Sequence, residues 1–104
     1  MDCDLRKNQL TSLPSEIGAL TGLTELGLYG NQLTSLPSEI GALTGLKKLW
    51  LHENQLASLP SEIRALTGLR TLNLRGNPLV SPLPADIESC ITNLRTAGCN
   101  ISLP

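Results

Sequence analysis

With 104 residues the chain is long enough for one small domain, and a formal net charge of −1 gives no electrostatic case for nucleic acid or an acidic membrane surface. No apolar run approaches the ~18 residues needed to span a bilayer, and no charged-then-apolar N-terminal signal is seen, so a cytoplasmic protein is expected. The three cysteines, an odd number, do not form a disulfide framework.

The chain opens part-way through a repeating unit. Leu5, Leu28, Leu51 and Leu74 are spaced by 23 residues, as are Asn8, Asn31, Asn54 and Asn77, and Leu10, Leu33, Leu56 and Leu79. A fixed period of this size is the signature of a stacked-repeat protein. The units run over about 1–22 (partial), 23–45, 46–68 and 69–93, with 94–104 degenerate or capping, all within one domain. Cys3 stands where later units carry a core leucine.

Each unit begins with a strand. In ELGLY and KLWLH, leucines alternate with variable residues, the period-2 pattern of a strand with one buried face. Each strand is expected to pair with its copy one unit away, giving a parallel sheet. The Asn that follows has an amide able to satisfy backbone groups where the chain turns, so four Asn at one spacing predict a stacked ladder.

The second half of the unit, LPSEIGALTG, returns the chain along the opposite, convex side. Pro14, Pro37 and Pro60 suit the first position of a short helical turn, and Glu16, Glu39 and Glu62 sit near its positive end. Ile17, Ile40 and Ile63 are expected to point inward with Leu20, Leu43 and Leu66. The turns look too short for full α-helices. Gly22, Gly45 and Gly68 are expected to allow the bend into the next strand.

The last unit departs from the pattern. It is two residues longer around Val80–Pro84, and ALTGLRTLNL at 65–74 reappears as CITNLRTAGC at 90–99. Residues 95–99 are read as a degenerate last strand, with Ala97 and Cys99 replacing inward leucines, because the LRT triplet recurs in place. A rival is one amphipathic helix over 85–97, with Ile87, Ile91 and Leu94 inward and Gly98 as its stop.

The unit LxxLxLxxNxLxxLPxxIxxLxx resembles a leucine-rich repeat over nearly the whole chain. Its LP-x-x-I half is similar to the subtype of plant intracellular Ras-group proteins and Ras-pathway scaffold proteins. The resemblance implies an α/β repeat solenoid: an arc with a short-stranded parallel sheet on the concave side and short helical or 3-10 turns on the convex side. It further implies a scaffold, signalling or recognition module without catalytic activity in its repeats.

One contrast within the unit points to a surface. Residues 32–46 and 55–69 are nearly letter-for-letter copies, whereas TELGLYGN and KKLWLHEN share little beyond the leucines and Asn. Core-facing residues must fit the copies above and below. Residues alternating with the strand leucines face the open concave side and are free to vary. These are Asp2, Asp4 and Arg6; Glu25, Gly27 and Tyr29; Lys48, Trp50 and His52; Thr71, Asn73 and Arg75. The chain's single Trp, Tyr and His all fall in this set, and aromatic and Arg side chains dominate binding hot spots. Asp4, Arg6, Glu25, Tyr29, Lys48, Trp50, His52, Asn73 and Arg75 are therefore the candidate partner-binding residues. Aromatic residues also occupy exposed strand positions for sheet propensity alone. Against that, Trp50 stands between Gly27 and Asn73, small neighbours that leave its ring accessible. The strip also changes sign, from Asp2, Asp4 and Glu25 to Lys47, Lys48, Arg70 and Arg75, which would orient a partner.

No Ser or Cys nucleophile accompanies His52 on the strip, so an enzyme is not expected. No metal or cofactor is expected either: Cys3 and Cys99 fall at opposite ends of the stack, and Cys90 and Cys99 read as small buried thiols. Asn100-Ile-Ser102 matches a glycosylation pattern that matters only in a secreted protein. The partner is expected to be a protein of unknown identity, with no nucleic acid and no membrane. The alternatives are a structural, self-assembling repeat unit, or the recognition part of a larger signalling enzyme. Leu5, Leu10, Leu13, Ile17 and Leu20 are expected to have no repeat above them, and a homodimer through that N-terminal end is expected as well.

Overall fold

The computed structural model describes residues 2–80 and 83–104. Met1, at the part-way start of the first unit, and positions 81–82, within the lengthening placed around Val80–Pro84, lie outside the described residues. Five three-residue strands form a parallel sheet in chain order: β1 (Asp2–Asp4), β2 (Glu25–Gly27), β3 (Lys48–Trp50), β4 (Thr71–Asn73) and β5 (Asn100–Ser102). The register keeps the period. Cys3, Leu26, Leu49, Leu72 and Ile101 form one row across the sheet, and Asp4, Gly27, Trp50, Asn73 and Ser102 another. Because side chains alternate faces along a strand, the first row enters the core and the second faces the concave side. Leu26, Leu49 and Leu72 are at most 1% exposed. Cys3 packs on the core half-buried, at the sheet edge.

On the convex side the chain forms 3-10 turns over Ser15–Ala19, Ser38–Ala42 and Ser61–Ala65. The prolines lie one residue earlier than expected: Pro14, Pro37 and Pro60 have extended backbone just before each turn, and each carbonyl accepts from the Ile N–H three residues on. Short 3-10 turns let coils stack closely. A Cβ on Gly41 would stand 2.9 Å from the Glu62 carbonyl oxygen, so the neighbouring turn leaves no room for a side chain. The equivalent position in the next unit is Arg64, which faces a wider helix rather than another 3-10 turn.

The chain turns at Thr21-Gly22, Thr44-Gly45 and Thr67-Gly68 before each following strand, as expected. Gly22, Gly45 and Gly68 do not adopt left-handed backbone. Among the described residues left-handed backbone falls just after β1 to β4, at Lys7, Gly30, Glu53 and Gly76, with φ of 56°, 73°, 58° and 73°, and also at Gln9 and Gly98. Lys7 and Glu53 lie directly over Gly30 and Gly76, where a Cβ would come within 3.0 Å of them.

Three of the four asparagines form the ladder. The Asn31, Asn54 and Asn77 side chains are buried. Asn54 Oδ1 accepts from the Leu33 N–H at 3.1 Å, and its Nδ2 donates to the Leu28 and Leu51 carbonyls at 3.0 and 2.9 Å. Asn31 and Asn77 do the same one coil away. Each amide thus ties its own coil to the preceding one. Asn8, on the first coil, is exposed.

The last coil settles the two alternatives for the C-terminal end against the preferred one. Residues 85–96 form a 12-residue helix, α1 (Ala85–Thr96), with Ile87, Cys90, Ile91 and Leu94 buried. Residues 95–99 are not a strand: they end the helix and turn through Gly98 at φ +98°. Strand β5 starts at Asn100, 29 residues after Thr71 rather than 23. The LRT triplet recurs in sequence, but Leu94 is a core-facing helix residue. Ile101, not Ala97 or Cys99, takes the leucine row, and Ala97 is exposed. The extra length replaces a 3-10 turn with three turns of α-helix, which pack on Ser61–Ala65. Among the described residues, no helix is long and apolar enough to cross a membrane.

Candidate functional site

The concave face is built by the strands and the residue pairs just beyond them. The Leu5, Leu28 and Leu51 N–H groups donate to the Gly27, Trp50 and Asn73 carbonyls, and those of Lys7, Gly30 and Glu53 donate to Tyr29, His52 and Arg75. Pairing therefore continues past the strands and holds Arg6, Tyr29, His52 and Arg75 in a third row.

Within this face lies a groove of about 530 Å³. Asp4, Arg6, Glu25, Tyr29, Trp50, His52 and Asn73 line it, so seven of the nine candidate residues share one concavity. Lys48 and Arg75 do not line it. Asp2, Cys3 and Gly27 do, and were not among the candidates. Gly27 carried a legible signal, since a glycine in register between bulkier residues opens space at that point of the sheet.

Tyr29 and His52 stack with ring centroids 4.4 Å apart and planes 9° from parallel. Arg6 extends the row: its Nη1 donates to the Tyr29 hydroxyl at 2.7 Å, its Nε meets Asp4 Oδ2 at 3.3 Å, and its guanidinium carbon lies 5.9 Å from the Tyr29 ring centre. The Tyr29 hydroxyl bond and the Asp4 carboxylate hold the guanidinium pKa above its ordinary value. Burial pushes the His52 imidazole below its ordinary value, partly opposed by the Glu53 carboxylate. Its Nδ1 is buried without a hydrogen-bond partner among the described residues.

The groove is thus acidic and aromatic, with one guanidinium fixed at its edge. Lys47, Lys48, Arg70 and Arg75 are exposed toward the later strands, so the charge gradient is present on the folded surface. No cluster of three or more metal-ligating side chains occurs among the described residues. Cys90 and Cys99 are buried and unpaired in the last coil, and burial raises both thiols above their ordinary range, which disfavours the reactive thiolate.

The repeat geometry agrees with the comparisons. The Leucine rich repeat family profile matches residues 21–79, more than half the chain. A leucine-rich-repeat protein of Leptospira interrogans is 39% identical, with a TM-score of 0.85; the match covers 99% of this chain and 25% of that one. The plant peptide hormone receptor RGFR1, solved in complex with RGF2, is 27% identical with a TM-score of 0.81, covering 99% of this chain and 16% of the receptor. No curated protein sequence matches significantly. The chain belongs to the leucine-rich-repeat family. It spans a quarter or less of the length of these two structural neighbours.

Proposed function

We propose that this domain is a protein-interaction module that holds a partner protein or peptide on its concave face, in a scaffold or recognition role, and performs no chemistry of its own. The observation that carries this is the groove itself: Tyr29, Trp50 and His52 lie half-buried along its wall and floor, positions that no core packing requires. Rigid aromatic side chains on a fixed sheet offer large contact area at small entropic cost. The likeness to a peptide hormone receptor supports recognition of a polypeptide. The test is capture of a partner by wild type and by the double variant Tyr29→Ala/Trp50→Ala, with folding checked by circular dichroism. A specific partner retained by the folded double variant would refute concave-face recognition.

A second reading is favoured by the first coil. Leu20 is 37% exposed, unlike its buried counterparts Leu43 and Leu66, and Leu5 and Leu10 are only partly covered, whereas Leu13 and Ile17, also expected at this open end, are buried within their own coil. This apolar end would associate with a second copy, most simply as a two-fold dimer, wherever no further coil covers it. Light scattering over a concentration series, with Leu20→Lys as control, tests this; a wild type that remains monomeric at millimolar concentration would refute it.

A further inference from the structure

Gly27 opens a slot in the groove floor. It sits on the middle strand of the row Asp4, Gly27, Trp50. A Cβ on Gly27 would lie 3.5 Å from Asp4 Oδ1 and 3.8 Å from Trp50 Cε3. One void is therefore touched on one side by a carboxylate and on the other by an indole. Asp4 Oδ1 and Trp50 Cε3 thus stand at most about 7 Å apart above a buried Gly27, room for no more than one flat group between them.

The surroundings specify its charge. Asp2, Asp4 and Glu25 all line the groove, against the single guanidinium of Arg6. Among the described residues the only ion pair is Arg6 with Asp4, so Asp2 and Glu25 remain uncompensated. Lys48 is Glu25's neighbour in register but makes no ion pair with it and stays outside the groove. An anion would be repelled here, and an apolar side chain would strip water from Asp4 without replacing its hydrogen bonds.

Arg6 shows what the wall does with a guanidinium: it takes the Asp4 carboxylate and the Tyr29 hydroxyl at once. Asp4 Oδ1, which faces the slot, already accepts the Arg6 backbone N–H at 3.3 Å, and since a carboxylate has about four lone-pair sites it retains room for one further donor. Trp is the strongest cation–π partner, and a planar guanidinium both stacks on it and bonds to carboxylates.

We propose that the slot over Gly27 binds one arginine side chain of an extended partner segment, between the Trp50 indole and the Asp4 carboxylate, with Asp2 and Glu25 supplying the surrounding negative potential. This rests on concave-face recognition and names the chemistry it reads.

Trp50 is the single tryptophan, so its indole N–H resonance reports the slot directly. The probes are the peptide acetyl-Gly-Arg-Gly-amide, its neutral citrulline counterpart and tetramethylammonium, titrated at low salt into the isotope-labelled chain. The arginine peptide should shift the Trp50 signal saturably and bind at least about 5-fold more tightly than the citrulline peptide. Asp2→Asn/Glu25→Gln, which breaks no ion pair among the described residues, should weaken it at least about 3-fold. Gly27→Val, which fills the slot, should abolish the shift, and Gly27→Ala, whose added carbon makes only ordinary contacts, should fold normally and weaken binding. Equal binding of the citrulline peptide, or an unchanged shift in a folded Gly27→Ala variant, overturns the proposal. Tighter binding of tetramethylammonium than of the arginine peptide also overturns it, pointing to a small quaternary cation. A captured partner that is lost on Trp50→Ala but kept on Gly27→Val leaves concave recognition standing and refutes the arginine slot alone.

Discussion

Replacing Asn54 with Leu tests the ladder at its centre, and the hydrogen bonds set the magnitude. Asn54 is 3% exposed, so no water is available to replace its amide. Its loss orphans the Leu33 N–H, for which Asn54 Oδ1 is the acceptor. The two carbonyls fare better. Leu28 keeps the Asn31 amide at 2.8 Å, and Leu51 keeps the Asn77 amide at 2.9 Å. One buried group left without a partner costs about 1–3 kcal/mol, and weakening of the two carbonyls adds to that, so about 2–3 kcal/mol is expected. For a domain of this size that lowers Tm by roughly 8–20 °C. Gln55→Leu is the control, because Gln55 is exposed and its ladder bond is made by its backbone N–H. Asn77→Leu should cost more than Asn54→Leu. It orphans two groups, the Leu56 N–H and the Leu74 carbonyl, since no asparagine of a following coil reaches Leu74 among the described residues. Urea unfolding with a constant slope would give the three values. Equal stability of Asn54→Leu and Gln55→Leu would falsify the ladder as a structural device. An Asn77→Leu variant milder than Asn54→Leu would refute the sharing of carbonyls.

Leu49→Ala should cost about 2–5 kcal/mol through a core cavity, because Leu49 is fully buried; Trp50→Ala, one residue away on the concave face, should leave the melting curve nearly unchanged and act on binding instead. Gly41→Ala should cost about 1–3 kcal/mol by overpacking, since its added carbon meets the Glu62 carbonyl at 2.9 Å, whereas Gly22→Ala, with nothing within 4 Å, should be neutral or slightly stabilising in the same denaturation assay. His52 has a folded-state pKa below its ordinary 6.5 because burial disfavours the charged ring. The unfolded chain then binds the proton first, so the His52 contribution is complete above about pH 6.5 and is lost as pH falls from there through the lower folded-state value. Stability measured between pH 7 and 5 should therefore drop more steeply in wild type than in His52→Gln, and parallel profiles would refute the assignment.

The coil was already legible in the spacing of the leucines. A leucine that must meet its own copy one strand spacing away cannot drift, so the 23-residue period fixed the parallel pairing, the core row Leu26, Leu49 and Leu72, and by alternation the concave row. The burial of Asn31, Asn54 and Asn77 was legible for the same reason, and the exposure of Asn8 and Leu20 follows from their place in the first coil. What the period does not constrain was set by packing in three dimensions. At the C-terminal end the recurring LRT triplet pointed to a strand, but a helix that buries Ile87, Cys90, Ile91 and Leu94 gains more than a short strand with Ala97 facing inward. Left-handed backbone fell at Lys7, Gly30, Glu53 and Gly76, where strand pairing ends, whereas the repeated Thr-Gly turns form without it. The concave groove is likewise a property of four strands together. Alternation placed Asp4, Gly27 and Trp50 on one face, but the slot between them exists only because register sets a residue without a side chain between a carboxylate and an indole.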